Sequence, residues 1–439
     1  MKRSRILRWF TGKSQKTPPQ AVAPKGFSLR KLPEGKTSRK PRRFALGHFT
    51  LPIVLVALLL SASGCVCGSV QATSWTGMTL KDGKIYVADL EQIQVLGTDG
   101  ELFQSIVPKD PESDGNNTAG LIYVAPAIGE GYLIVAGQTL AGRLFSPATN
   151  SVVKLDIETG NIIWRFDGAR GGQYIEGGAI SGDTFVIGNS NGSVYALDTD
   201  TGELKWTLET GHRVWATPLI VEDTVYIGSM DRNLYALSLS DGEVLWKFSA
   251  QGAFASTPAL QDGILYIGTF GNRVYAIDAD DGTEVWRFPA EKPGDSWFWG
   301  SPAVDGDAVY AVDVKGTVYK LNAETGEEIW PSASKLTPKQ NEKNAPVRGG
   351  PALTEDGSTL LISSQNGSLY ALSTADGSQQ WSTESDGQGY VTPVVDGNVV
   401  YETQIRGSYR VRALELLDGG ERYSELWVYP TPEESETGE

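Results

Sequence analysis

The side chains best suited to metal binding or nucleophilic catalysis are scarce in this chain of 439 residues, which holds 2 cysteines and 2 histidines. Cys65 and Cys67 lie together just after an apolar run, and only His212 comes after them. Positions 68–439 therefore offer no Cys/His metal site, and no Cys–His or Ser–His nucleophile pair beyond what His212 alone could supply. The sequence therefore predicts no catalytic site and no metal site. We interpret His212 as a solvated or hydrogen-bonded loop residue, with a general base as the alternative.

Two acidic segments could in principle hold calcium. Asp198–Gly202 and Asp278–Gly282 each place a glycine fifth, whereas an EF-hand loop needs glycine sixth and glutamate twelfth. The twelfth residues are Glu209 and Pro289. Hairpin turns, in which aspartate binds nearby backbone N–H groups, fit these segments better than calcium loops.

Charge is divided unevenly along the chain. The first 48 residues carry a net charge of +13 and the remainder −28. So acidic a region repels phosphate, which argues against nucleic-acid binding through bulk electrostatics. The two parts are expected to face different surroundings.

The N-terminal region has the composition of an export signal. Residues 1–43 form a basic leader with few apolar side chains, predicted to be disordered, and residues 44–66 contain the apolar run LPIVLVALLL. Cys65 follows Ala-Ser-Gly in a pattern that resembles a bacterial lipobox, which predicts lipidation of Cys65. An uncleaved signal anchor over about residues 44–66 and a chance pair of cysteines are the alternatives. Either anchor would place the rest of the chain outside the cytoplasmic membrane.

A repeat positions everything after this region. It runs from a Thr-Pro through Tyr-Ile-Gly and Tyr-Ala-Leu-Asp to a Thr-Gly and a final tryptophan, with 40–51 residues between successive tryptophans. These are Trp164, Trp206, Trp246, Trp286, Trp330, Trp381 and Trp427, and an eighth copy is expected to end at Phe103 instead. We interpret the tryptophans as structural residues packed between repeats rather than as ligand platforms.

Each copy contains four short alternating runs rich in Val, Ile and Tyr, separated by Gly-containing turns, which predicts four antiparallel strands. One such sheet cannot bury both its faces, but radially stacked copies can. The sequence therefore predicts an all-β fold, an eight-bladed β-propeller over residues 72–429. Residues 430–439 are predicted to be a disordered acidic tail.

The signature Tyr-Ala-Leu-Asp-x-x-Thr-Gly-x-x-x-Trp, clearest in Tyr195–Trp206, Tyr235–Trp246 and Tyr275–Trp286, resembles the repeat of pyrroloquinoline-quinone (PQQ) type propellers. Within that superfamily, the size, blade number and lipobox-like cysteine resemble the BamB-like outer-membrane assembly lipoproteins, which are not enzymes. The quinoprotein dehydrogenases are similar in fold but longer, and they typically use an adjacent cysteine pair and calcium. The propeller region here has no cysteine.

A variable position, three residues before the place that proline holds in most blades, is the best candidate for binding. The segment that enters an innermost strand lies near the central channel, so these side chains could form a binding ring at its mouth for a peptide or small polar ligand. The alternative is that they plug the channel. They are Trp75, Tyr123, Glu176, Trp215, Ala255, Trp299, Arg348 and Tyr390.

Together these observations predict a membrane-attached, extracytoplasmic scaffold without cofactor. It is expected to be a monomeric propeller that binds protein partners in the cell envelope, as the BamB resemblance implies. A PQQ-dependent oxidoreductase and a ligand- or carbohydrate-binding surface propeller are the alternatives.

Overall fold

The computed structural model describes residues 77–110, 121–122, 124–139, 149–168, 171–289, 291, 294–338 and 344–430. The predicted leader, the signal segment with Cys65, and the tail beyond Pro430 lie outside the described residues, as do Trp75 and Tyr123.

The described chain forms eight consecutive antiparallel sheets, each built from one continuous stretch of sequence. The first strands of neighbouring sheets contact one another, so they surround the central axis and the fourth strands form the rim. The only helical element of the described residues is the short 3₁₀ turn Asp418–Gly420. The predicted eight-bladed, all-β propeller is confirmed.

The strands are given from the channel outward. Blade 1 has Met78–Lys81, Lys84–Asp89, Gln92–Gly97 and Leu102–Ile106; blade 2 has Leu121–Ile122 and Ala127–Ile128, Tyr132–Thr139, Thr149–Asp156 and Ile162–Phe166; blade 3 has Ala179–Ser181, Thr184–Gly188, Ser193–Asp198 and Leu204–Glu209; blade 4 has Leu219–Val221, Thr224–Gly228, Asn233–Ser238 and Val244–Ser249.

The second half of the ring repeats this plan. Blade 5 has Ala259–Gln261, Ile264–Thr269, Arg273–Asp278 and Glu284–Phe288; blade 6 has Ala303–Asp305, Ala308–Val312, Thr317–Asn322 and Ser334–Lys335; blade 7 has Ala352–Leu353, Thr359–Ser363, Leu369–Ser373 and Gln379–Ser382; blade 8 has Val394–Asp396, Val399–Thr403, Val411–Leu417 and Arg422–Tyr429.

Two blades depart from the simple repeat, both near a proline. In blade 2 the innermost strand is split into two short pieces that both pair with Tyr132–Thr139, and Pro126 lies between them. In blade 6 the outer strand shrinks to Ser334–Lys335, and Trp330 precedes it, followed by Pro331. Proline lacks the N–H that a strand ladder requires, so pairing is interrupted in both places.

Seven of the eight blades are attached to the next through a tryptophan. The indole Nε1 of Trp206 donates to the Leu239 carbonyl oxygen at 2.8 Å, and that of Trp246 donates to Ala279 at 2.9 Å. The ring also lies against a turn glycine: a Cβ on Gly282, whose φ is +74°, would come within 2.6 Å of Trp246 Cδ2. Glycine is required there for both backbone conformation and space. The other tryptophans donate in the same way, Trp164 to Thr199, Trp286 to Ala323, Trp330 to Thr374, Trp381 to Gly420 and Trp427 to Thr98.

The ring closes by the same contact. Trp427 of blade 8 donates to the Thr98 carbonyl oxygen of blade 1 at 3.0 Å and packs on Gly100. Because every described blade uses its own four strands, no strand is exchanged across this seam. Blades 8 and 1 also share a core that contains Ile85, Val87 and Tyr401, and Arg410 Nε lies 3.6 Å from Asp89 Oδ1 across the seam.

The expectation that Phe103 replaces the tryptophan of blade 1 is wrong by one residue. The tryptophan position pairs with Ala196 in blade 3, and in blade 1 the equivalent pair is Val95 with Gln104. Phe103 is the extra residue of a β-bulge, which directs its side chain outward and leaves it 62% exposed. Gln104 takes over the bond to the next blade, because its Nε2 donates to the Glu158 carbonyl oxygen at 2.9 Å.

Antiparallel connections give the propeller two distinct faces. The segments that enter the first strands and the hairpins between second and third strands lie on one, here called the mouth face. The hairpins between third and fourth strands lie on the opposite face. There Asp198 accepts the Thr201 N–H at 2.9 Å, which together with the other bonds to this carboxylate lowers its pKa. This is the hairpin turn expected from the sequence.

Candidate functional site

Five of the predicted ring residues line one cavity at the mouth of the channel. Its volume is about 180 Å³, and the ring residues that line it are Glu176, Ala255, Trp299, Arg348 and Tyr390. Trp215 joins them because its ring stacks on Trp299, with 6.1 Å between centroids and 22° between planes. The repeat thus brings together every ring residue that the structure describes.

Small residues at the channel mouth allow the surrounding side chains and backbone segments to approach one another closely. Ala255 belongs to blade 5, between the blades of Trp215 and Trp299, and its short side chain leaves room for the two indoles to meet. A Cβ on Gly300 would collide with the Gly349 backbone. The entering segments of blades 6 and 7 therefore approach as closely as backbones can, and part of the cavity wall is backbone.

Aromatic rings form a continuous ladder from the mouth face into the channel. Trp297, 49% exposed, stacks on Phe270 at 5.3 Å, and Phe270 contacts Trp299 at 4.8 Å. Trp299 in turn stacks on Trp215. Phe298, which lies between Trp297 and Trp299 in the sequence, points the other way, into the core against Tyr319. Alternation along an extended segment therefore sends the outer two aromatics of Trp297–Trp299 to the ladder and the middle one inward.

Two charged groups stand on opposite sides of the cavity. The Arg348 guanidinium lies 4.6 Å from the Trp299 ring centroid and 5.9 Å from that of Tyr390. Cation–π contacts of this kind hold the charge at a fixed place. Glu176 belongs to blade 3 and Arg348 to blade 7, four blades apart in a ring of eight, so they face each other across the axis. Burial raises the pKa of Glu176 to about 7.

Sequence reasoning missed two contributors to this site. Phe270 lies in the hairpin between the second and third strands of blade 5, where blades 3, 4, 6 and 7 have residues that are not aromatic, namely Ser190, Met230, Val314 and Gln365. Ser256 follows Ala255 and also lines the cavity. A comparison of the hairpin turns copy by copy would have singled out Phe270, whereas nothing in the sequence distinguishes Ser256.

The remaining candidates do not gather around a reactive centre. His212 is exposed in its loop, and its carbonyl oxygen accepts the Thr210 hydroxyl at 2.5 Å. Across the part of the chain that the structure describes, no three His, Cys, Asp or Glu side chains are placed to hold a metal ion together. The blade tryptophans lie in the interfaces between blades, away from the cavity.

A family model described as outer membrane protein assembly factor BamB matches residues 148–255, 232–342 and 333–437. These overlapping stretches cover well over half of the sequence. The chain belongs to the BamB family. No curated protein sequence that was compared matches it.

Solved structures agree with the BamB fold. BamB from Moraxella catarrhalis is similar with a TM-score of 0.60 and 19% identity, covering 78% of this chain and 94% of that one. A computationally designed protein, Ika8, also gives 0.60, at 15% identity over 78% and 96% of the two chains. A europium-containing methanol dehydrogenase gives 0.56, at 14% identity over 71% and 79%. At these identities the likeness concerns the fold alone, which BamB shares with the quinone dehydrogenases.

The sequence features that predict membrane attachment lie outside the described residues. Cys65 and the apolar segment 44–66 both lie there. None of the helical structure among the described residues is long and apolar enough for a membrane crossing.

Proposed function

We propose that this BamB-family propeller is a non-catalytic, monomeric scaffold that binds protein partners during assembly of the cell envelope. The observation that carries the proposal is the BamB family match over residues 148–437. The closed ring supports it, since the tryptophan contact recurs at seven of the eight blade interfaces and gives a rigid platform with loops on both faces.

The test is site-specific crosslinking in living cells with the full chain. A photo-crosslinking amino acid is placed at His212, exposed on the mouth face, and in a matched variant at Asp200, exposed on the opposite face. We expect crosslinks to cell-envelope proteins, concentrated at one of the two positions, because a scaffold presents one face to a given partner. Crosslinks only to cytoplasmic proteins, or none at either position, would contradict the proposal.

We propose further that Cys65 is the lipidated first residue of the mature protein, which would attach the propeller outside the cytoplasmic membrane. The lipobox-like Ala-Ser-Gly before Cys65 and the basic, then apolar, leader support it. The mass of the mature N-terminus tests it: a diacylglyceryl-cysteine start is expected. A Cys65→Ser variant should remain unlipidated, with Cys67→Ser as the matched control. An intact Met1 would instead establish an uncleaved anchor.

The enzymatic alternative is a quinone-dependent dehydrogenase, which shares the fold. It is tested by adding PQQ and calcium to the purified chain and following cofactor absorbance and alcohol-dependent dye reduction. We expect neither signal. Reproducible turnover that requires the quinone would replace the scaffold proposal.

A further inference from the structure

The mouth cavity has the size for one small chemical group. Its volume of about 180 Å³ is below the roughly 300–1,000 Å³ of pockets that enclose drug-sized ligands. A tricyclic cofactor or an oligosaccharide would not fit without displacing the Trp215–Trp299 stack. Whatever enters this cavity as it stands is compact.

The polar groups of the cavity are suited to receive an acceptor. Arg348 carries a permanent charge and only donors. Ser256 is 8% exposed, lines the cavity, and its hydroxyl has no hydrogen-bond partner among the described residues. A buried hydroxyl without a partner is costly, so a ligand that accepted its proton would gain from that bond. Glu176, when protonated, is a third donor, and the direction of its pKa shift favours that form near neutral pH.

The charge and the aromatic surface around the cavity limit the chemical class of the ligand further. The chain beyond residue 48 has a net charge of −28, yet the mouth carries Arg348 in the cavity and Arg213 beside Trp215, 6.0 Å from its ring. This local positive charge on an acidic protein selects for an anion. A single negative charge suits the site better than a doubly charged phosphate, because Arg348 is the one cationic side chain among the described residues that line the cavity.

We propose that the channel mouth binds a carboxylate group, borne by a small acid or by a peptide, with Arg348 as its cationic partner and Ser256 as its neutral donor. The exposed Trp297 and the ladder behind it offer a flat surface to an apolar body attached to that group. This site does not depend on the scaffold role, and binding can be measured whether or not envelope partners are found.

The test is isothermal titration calorimetry on the full-length chain in detergent. The probe is N-acetyl-L-phenylalanine, and its carboxamide is the matched neutral control. We expect the amide to bind at least tenfold more weakly. Two further probes show whether a peptide binds through its terminal or its side-chain carboxylate. They are a short peptide with a free C-terminus, and the same peptide amidated and carrying an internal glutamate.

Variants assign the binding to the proposed groups. Arg348→Gln is expected to lower affinity at least tenfold, Arg348→Lys by less because charge is kept, and Ser256→Ala by about threefold to tenfold. Lys205→Gln removes an equivalent charge at the rim of blade 3 and should leave binding unchanged. Circular dichroism and the thermal midpoint confirm that each variant folds. Equal binding of acid and amide, an Arg348→Gln variant that binds as tightly as the unaltered chain, or no binding of any acid at millimolar concentration would each overturn the proposal.

Discussion

A buried ion pair distinguishes blade 8 from the other blades. Glu402 and Arg412 face each other across the two central strands with side chains 1% and 3% exposed, and Arg412 Nη2 lies 2.5 Å from Glu402 Oε2. Ser363 Oγ and Gln404 Nε2 donate to the other carboxylate oxygen at 3.0 and 3.1 Å. The equivalent positions hold isoleucine and tyrosine in blades 3, 4, 5 and 7, as Ile187–Tyr195, Ile227–Tyr235, Ile267–Tyr275 and Ile362–Tyr370.

The protein's own repeat therefore supplies the substitution. Glu402→Ile alone leaves the buried Arg412 guanidinium with only the half-exposed carboxylate of Glu425, 3.9 Å away. Removing the buried partner of such a pair costs about 3–5 kcal/mol of unfolding free energy. Glu402→Ile with Arg412→Tyr restores the apolar pair of the other blades, which is often neutral or stabilising relative to a buried ion pair. Ser363 loses an acceptor in the double variant, at about 1 kcal/mol. We expect the double variant to recover at least about 2 kcal/mol of the single variant's loss.

Urea unfolding followed by tryptophan fluorescence measures these differences from shifts in the midpoint at constant slope. Arg422→Ala is the control, since it removes an ion pair whose side chains are 69% and 54% exposed and should cost no more than about 1 kcal/mol. The reasoning fails if Glu402→Ile costs less than the surface control. It also fails if the double variant is no more stable than Glu402→Ile alone.

Three further predictions concern blade contacts and the channel. Gly282→Ala should lower the free energy of unfolding by about 2–4 kcal/mol, because the position has φ of +74° and its Cβ would press on Trp246. Gly263→Ala, where φ is +77° and the space around the Cβ is open, should lower it less in the same urea assay. By thermal unfolding, Trp206→Ala should lower the free energy of unfolding by about 3–5 kcal/mol and Gln104→Ala by only about 1 kcal/mol. Equal losses would contradict the interpretation that Gln104 replaces a tryptophan with a single hydrogen bond to the next blade. Burial raises the pKa of Glu176 from 4.5 to about 7, so native-state protonation contributes stability that is full below about pH 4.5 and is lost, up to about 3 kcal/mol, as the pH rises to about 7. Glu176→Gln should lack this slope between about pH 5 and pH 8, and parallel profiles for the two chains would show that Glu176 is not its source.

The repeat makes the fold predictable, and it does so through local chemistry. Alternating Val, Tyr and Ile runs with Gly turns recur at one period, so each blade supports the interpretation of its neighbours. The same regularity predicts that the ring residues lie together at the mouth. Prediction fails where a copy is irregular: in blade 1, Phe103 imitates the tryptophan by type, but the bulge shifts the register by one residue.

The sequence does not predict contacts that depend on strand register or on how the ring of blades closes. The stack of Trp215 on Trp299 skips a whole blade and depends on the small size of Ala255. The pairing of Glu402 with Arg412 shows only when the strand register is known. The burial of Glu176 likewise results from the closed ring rather than from its neighbours in the chain.

Because the ring closes without strand exchange, the fold does not require the chain to start at a particular blade. The seam between Trp427 and Thr98 uses the same tryptophan contact as six of the interfaces within the chain, so the seam itself does not mark where the chain starts. A circular permutant that begins at blade 5, with a short linker joining Pro430 to Gly77, should form the same ring. The fold therefore fixes the cyclic order of the blades but leaves open which blade follows the N-terminal region.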